Sequence, residues 1–435
     1  MTEENGFAAD HAAEQALQAL LRRGFQHAQV TAGETLRCEL NLAHNEPSLL
    51  RSNASQRLSA TAIVDGRRAS AEGNRVDAQG VAALVDEIWS AAASAPVDEA
   101  NAVSGGQRAS IVRGPREADP AALAEALREL LAWRAANTPA MMIEEALAAH
   151  VHSRSHTLTF GGGDGRSDSV IACELGWCEA SLFGLAREGG RTSSFNGAGG
   201  TADTLAGLPQ RFGIARMMRE LEQQVNTQPL GERFVGEVVL APGAVDELLS
   251  WLMAQLGDGP LIDGSSIYRE RVGQRIASPL LTLQSRFDAP GCVPVTADAF
   301  VAPATTLLDA GVLTQLTPSL YGSRKTGLPH RPVAAQGWEL RAGSTPLAEI
   351  IASVARGALV DRLSMGEPAP NGDFAGVIKN SFALRDGRVG AALAETMITG
   401  NVAQMLQDVR AVSRERIDGG SQALPWLCIG GLSFS

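Results

Sequence analysis

The sequence predicts an α+β protein, with an N-terminal helix-hairpin-helix α/β unit, a middle α/β segment and a C-terminal mixed β-rich domain. Three observations lead there. Stretches with apolar residues at helical spacing are interleaved with stretches of period two. Turns are frequent, with 46 Gly and 20 Pro in 435 residues, enough to connect many short elements. Hydrophobic residues make up 45% and charged residues 20%, which supplies apolar surface for real cores and excludes wholesale disorder.

Taken in order, Ala13 to Phe25 carries Leu17, Leu20 and Leu21 on one helical face and closes on Gly24, a residue suited to a left-handed helix end. From Leu36 the period is two: Leu36, Cys38, Leu40 and Leu42 share a face, as in a half-buried strand. Leu58, Ala60, Ala62 and Val64 alternate into Asp65-Gly66, a pair that accepts positive φ at both centres of a type I′ turn, so Arg67 to Glu72 returns antiparallel. Asp77 caps a helix carrying Val81, Leu84, Val85, Ile88 and Trp89. These elements make residues 1–95 a first domain.

Ser94 to Arg116 is rich in Ala, Ser, Pro, Gly and charge without period, and reads as a surface connection. Asp119-Pro120, a cap followed by an N1 proline, opens a helix with Leu123, Leu127, Leu130 and Leu131 on its apolar stripe. Strands over Met141 to Phe160 and Val170 to Phe183, then a helix over Leu208 to Gln224, complete a middle domain of residues 117–227. The polar stretch Asn226 to Glu232 leads into a third domain, 228–435. It opens with a strand, Phe234 to Leu240, and a helix, Ala244 to Leu256. Another helix is expected over Pro346 to Ala358, with strands over Leu280 to Gln284, Gly376 to Leu384 and Arg388 to Glu395.

Asp and Glu number 48 against 37 Lys and Arg, a formal net charge of −11, and no basic run interrupts the acidic balance. Such a chain repels phosphate backbones, so nucleic acid is excluded as a partner. No window approaches 18 consecutive apolar residues and the first residues are acidic, so no membrane is involved and a cytoplasmic location is expected. Five scattered cysteines, with no C-x-x-C pair, point to reduced thiols rather than a disulfide or zinc framework.

Few residues suggest chemistry by themselves. His150 and His152 would share one face of a strand and could present two imidazoles to one metal; His156 lies about 20 Å further along, out of reach. Gly161-Gly162-Gly163-Asp164-Gly165 lacks the Gly-Lys-Ser/Thr ending of a phosphate loop, and it and Gly197-Ala198-Gly199-Gly200 are read as loops. Ser265 and Ser266 stand in a glycine turn without a G-x-S-x-G elbow, Asp298 and Glu395 are isolated carboxylates, and Cys428 reads as a small buried apolar residue.

A series of motifs in the C-terminal half resembles the TldD/PmbA family, the modulators of DNA gyrase. The motifs are Glu237 to Gly243 (E-V-V-L-A-P-G), Gly264-Ser265-Ser266, Val272 to Ser278 (V-G-Q-R-I-A-S), Leu307 to Leu313 (L-L-D-A-G-V-L), Lys325 to Pro329 (K-T-G-L-P), Gly376 to Ser381 (G-V-I-K-N-S), Glu395 to Asn401 (E-T-M-I-T-G-N) and the closing Leu424-Pro425-Trp426-Leu427. The resemblance implies a metallopeptidase in which the helix after the V-V-L-x-P-G strand carries H-E-x-x-x-H, two metal ligands and a base. In this chain Ser250 and Gln255 take the histidine places and Trp251 the glutamate place, so no catalytic, cofactor-binding or metal-binding residue is carried over. Cys428 lies beyond the expected place of the family's metal-linked cysteine. Asp298-Ala299-Phe300-Val301 departs from the family's D-x-E-G stretch.

The resemblance therefore implies a PmbA/TldE-type, non-catalytic subunit of a TldD/TldE-type metallopeptidase complex that matures unfolded or modified peptides. A TldD-type partner would form the heterodimer and hold the metal ion, Zn or Fe, while an extended peptide is the substrate. Two alternatives are a stand-alone homodimeric peptide-binding module and an independent metal-dependent hydrolase with its metal moved to His150 and His152.

Overall fold

The structure is a computed structural model that describes residues 8–162 and 167–435, with side chains described from residue 11 onward. The long alternating runs organise its N-terminal half. β1 (His27–Ala43) turns into β2 (Glu46–Val64) through His44 and Asn45, both at positive φ. β2 turns into β3 (Arg67–Gly73) through Asp65 (φ 49°) and Gly66 (φ 72°), the type I′ geometry expected of that pair. With β4 (Arg108–Arg113), β5 (Met141–Phe160), β6 (Ser169–Glu188), β7 (Arg191–Thr192) and β8 (Asn196–Ala202), they form a sheet of order β3-β2-β1-β5-β6-β4, β7 and β8 also pairing with β6.

Helices cover the two ends of this sheet. α1 (Ala8–Arg23) and α2 (Ala78–Ser94) bury Leu17, Leu20, Leu84 and Ile88 against Val30, Leu58 and Leu158. α3 (Pro120–Asn137) and α4 (Ile214–Gln223) bury Leu127, Leu130, Met217 and Leu221 against Met141, Ile143 and Leu182. Each such side chain contributes about 1.5–3 kcal/mol by leaving water. The caps are those expected: Asp77 accepts from Gly80 N at 2.8 Å, and Asp119 from Ala122 N at 3.0 Å ahead of the proline. Residues 1–95 and 117–227 thus share one sheet, since β1 pairs with β5 from Ala28↔Phe160 to Ala43↔Glu145. β3 covers only Leu58 to Val64 of β2, which leaves Glu46 to Arg57 as an exposed edge with Leu50 62% exposed.

The C-terminal half is built on β9 (Phe234–Leu240), β10 (Leu283–Ser285), β11 (Thr306–Asp309), β12 (Val312–Leu313), β13 (Trp338–Leu340), β14 (Arg356–Ser364), β15 (Asp373–Arg385), β16 (Arg388–Leu393), β17 (Thr396–Asn401), β18 (Val409–Asp418) and β19 (Gln422–Phe434). The order β19-β17-β15-β14-β9 closes on itself because β9 also pairs with β19, giving a barrel, while β13, β10, β11 and β12 extend from β19. Closure satisfies the backbone of each barrel strand and removes free edges. β9 sends Val238 and Leu240 to one core and Val239 and Ala241 just beyond it to another, which explains its unbroken apolar run. The helices packed around it are α5 (Pro242–Leu256), α6 (Asp258–Asp263), α7 (Leu320–Thr326), α8 (Leu347–Ser353) and α9 (Val402–Gln407). No helix among the described residues is long and apolar enough to cross a membrane.

Several elements differ from those the sequence predicts. The helix expected over 208–224 is a 3-10 turn, Leu208–Gln210, then α4, because Phe212 and Gly213 take positive φ between them. The helix expected over 346–358 stops at Ser353, and the following residues enter the barrel as β14, where Gly357 passes so close to Glu237 O that a Cβ there would stand 1.9 Å away. The connection expected over 94–116 holds β4, parallel to β6. Gly197 to Gly200 lies within β8, whose backbone approaches closely: a Cβ on Gly199 would meet Ala180 O at 2.5 Å. In the Gly161 to Gly165 stretch, residues 163–165 lie outside the described residues.

Candidate functional site

α5 starts where β9 leaves the barrel, with Pro242 at its first turn, and presents positions 250, 251 and 255. Ser250 is exposed. Trp251 is buried and meets Tyr268 edge-on, ring centroids 6.0 Å apart. Gln255 is also buried: its Oε1 accepts from Ile267 N at 3.3 Å, and its backbone carbonyl accepts from Ser266 Oγ at 2.7 Å. The Gly264-Ser265-Ser266 turn therefore pins the last turn of α5, and Ser266 is a capping group rather than a nucleophile. Burial pushes the Tyr268 phenol up to about 12, so it stays neutral at ordinary pH.

These side chains do not fit the metal that the resemblance implies. Ser250 offers one neutral hydroxyl, the Trp251 indole has no free lone pair, and the Gln255 oxygen is already engaged by Ile267. Among the described residues no three His, Cys, Asp or Glu side chains come together as a metal set.

A cleft of about 480 Å³ opens beside α5, where β6, β8 and α4 meet β14 and the turn between β18 and β19. Its floor is a buried charge network. Asp361 Oδ1 accepts from Arg216 Nη2 at 2.7 Å and Asp361 Oδ2 from Asn196 Nδ2 at 2.6 Å. Arg216 Nη1 donates to Glu220 Oε2 at 2.5 Å, and the guanidinium lies 5.5 Å over the Trp426 ring. Against the cost of burial, the charges of Asp361 and Glu220 hold Arg216 above its ordinary value, so it is always charged. Burial, with the Asp361 charge beside it, pushes the Glu220 carboxyl up to about 7, since one guanidinium serves two carboxylates.

The rim carries different groups. Phe183 and Phe195 are each 45% exposed and stack on one another, centroids 5.1 Å apart and planes 5° from parallel. Asp246 and Glu247, on the first turns of α5, face the same space. Asp246 accepts from the neutral Gln422 amide at 2.5 Å, and burial raises both carboxyls above their ordinary values, with Asp246 adding to the effect on Glu247. Past Asp246, Gln422 and Leu424, a second pocket of about 310 Å³ continues over Ser250 and Met253 to Trp338, whose indole N–H is buried without an acceptor. The two pockets share Asp246, Gln422 and Leu424 as a common wall, and together they line a groove-like face of α5.

The other residues singled out from the sequence lie elsewhere. His150 donates from Nε2 to Pro115 O at 2.9 Å, and His152 meets Glu174 at 3.1 Å, so each imidazole has its own partner. Asp298 accepts from Leu320 N at 2.9 Å and Glu395 pairs with Lys379 at 3.0 Å, so the two carboxylates serve separate structural contacts. In the Asp298 to Val301 stretch Ala299 takes φ 59° and accepts from Ser104 Oγ. Cys428 packs with Val239 and Trp426, and burial pushes its thiol up to about 11. The groove residues Arg216, Asp361, Asn196, Phe183 and Asp246 carry no motif and are spread over nearly 180 positions, so no spacing could have linked them.

The fold has counterparts among known proteins. The family described as PmbA/TldA metallopeptidase C-terminal domain matches residues 235–435. Among solved structures, TldE from Thermococcus kodakarensis superposes with a TM-score of 0.78 at 18% identity, covering 99% of this chain and 100% of that one. A candidate modulator of DNA gyrase from Bacteroides thetaiotaomicron gives 0.79 at 19% identity, covering 100% and 99%. Its counterpart from Thermotoga maritima gives 0.75 at 13% identity, covering 98% and 100%. No curated protein matches the sequence. Residues 235–435 thus match the PmbA/TldA metallopeptidase C-terminal domain, and the whole chain shares its fold with these three structures.

Proposed function

We propose that this chain is the non-catalytic, TldE-type subunit of a TldD/TldE-type metallopeptidase complex acting on unfolded or modified peptides. The observation that carries the reading is the face of α5, where Ser250, Trp251 and Gln255 offer neither ligands nor a base and two of the three are committed to packing. The metal ion, Zn or Fe, the attacking water and the base would come from a TldD-type partner. This chain would hold an extended peptide in the groove along α5, and the exposed edge from Glu46 to Arg57 offers the unpaired backbone groups that strand addition by a partner requires.

The test is native mass spectrometry and metal analysis of the full chain, alone and after co-expression with a TldD-type subunit. The expected result is little bound metal alone, a one-to-one complex on co-expression, and peptidase activity in the complex only. One tightly held ion per chain, or peptide cleavage by the chain alone, would overturn the proposal. A stable twofold assembly that ignores the TldD-type subunit would replace it with a homodimeric peptide-binding module.

A further inference from the structure

We infer that the groove selects peptide segments in which a Lys or Arg stands next to an aromatic or large aliphatic residue. The inference rests on the peptide-binding function proposed for that groove and names its substrate class. Two exposed phenylalanines on the rim, stacked on each other, offer a flat apolar platform of a kind that a folded chain ordinarily buries, and Phe183 lines the cleft itself. An aromatic or aliphatic side chain laid on that platform would remove apolar area from water on both partners.

The charge of the same cleft sets the neighbour. Arg216 is consumed by Asp361 and Glu220 in the floor. Arg362 donates Nη1 to Phe195 O at 3.0 Å, which fixes its head beside the platform, and its charge only partly offsets Glu247. Asp246 has the neutral Gln422 amide as its hydrogen-bond partner. The cleft therefore holds carboxylate charge that its own residues leave uncompensated, and burial makes that charge costly until a cation arrives. An ammonium or guanidinium entering beside Asp246 and Glu247 relieves the cost, whereas a peptide carboxylate there adds a third negative charge. At about 480 Å³ the cleft accommodates two side chains rather than one.

The test uses the full chain without a partner and short labelled peptides of Gly and Ser carrying a central Lys-Phe, Glu-Phe or Lys-Gly pair, read by fluorescence anisotropy. Lys-Phe is expected to bind tightest, with each of the others about fivefold weaker. Replacing both Asp246→Asn and Glu247→Gln should erase the preference for Lys over Glu and leave the preference for Phe. Phe195→Ala should do the converse. Added salt should narrow the gap between Lys-Phe and Glu-Phe but not that between Lys-Phe and Lys-Gly. Glu247 is exposed, so Glu247→Gln alone leaves the fold intact and still tests the charge arm if Phe195→Ala destabilises the chain. Equal binding of Lys-Phe and Glu-Phe, or a preference that survives these substitutions, overturns the inference and leaves the peptide-binding function standing. Selective binding by a chain that never joins a TldD-type subunit leaves the inference and removes the heterodimer. Failure of every peptide to bind overturns both.

Discussion

Replacing Arg216 with Met tests whether the floor of the cleft is desolvated. The side chain is 28% exposed, and its partners Asp361 and Glu220 are 11% and 19% exposed. Met keeps the length and apolar stem but leaves two carboxylates facing each other without a cation. Removing one member of a buried ion pair costs about 3–5 kcal/mol, because the remaining charge stays desolvated. Partial exposure argues for the lower end, and the lost contact with Trp426 adds about 0.5–1 kcal/mol. The expected loss is therefore about 3–4 kcal/mol. Urea unfolding followed by tryptophan fluorescence reads it as a drop in midpoint at unchanged slope. Adding Asp361→Asn should recover part of the loss, since it removes one of the two stranded charges and the pair is not additive. A loss below about 1 kcal/mol, the level of a solvated surface pair, would refute the desolvated floor and with it the raised titration of Glu220.

The same geometry predicts three further outcomes. Burial and the neighbouring Asp361 charge hold the folded Glu220 carboxyl above its ordinary 4.5. The folded state thus binds more protons than the unfolded one above that value, and stability falls as pH rises from there toward neutrality; melting curves of Glu220→Gln should lack that slope relative to the parent, and equal slopes would remove the shift. Trp251→Ala should cost about 3–5 kcal/mol by emptying its place against Tyr268, measured by chemical unfolding, without abolishing any peptidase step supplied by a partner. Cys428 should resist iodoacetamide at pH 8 until the chain is unfolded, because a thiol pushed to about 11 is protonated there; rapid labelling of the native chain by mass spectrometry would contradict its burial.

The sequence by itself determined the local events. The caps at Asp77 and Asp119, the type I′ turn at Asp65-Gly66, the strand over Met141 to Phe160 and the amphipathic faces of α1 and α2 each depend on residues within about four positions, so their signals survive in one dimension. The family resemblance was also legible, because its motifs are short and ordered. The helix that carries Ser250, Trp251 and Gln255 was legible for the same reason, since its apolar spacing is local.

Tertiary structure decided the rest. β8 has glycines where a strand would show alternating side chains, and close approaches from distant segments explain them: Ala180 at Gly199, and Phe212 and Gly419 at Gly200. The residues after Ser353 continue a helical pattern, yet closing the barrel between β9 and β15 claims them as β14, since backbone pairing on both sides outweighs a weak local preference. His150 and His152 share a strand face as expected, but what each ring meets, Pro115 and Glu174, lies on neighbouring segments. The cleft is the clearest case. Asp361 and Arg216 are 145 residues apart, and their pairing exists only because the N-terminal sheet and the barrel meet there. Contacts between distant segments depend on how whole surfaces fit, and no short window of sequence carries that fit.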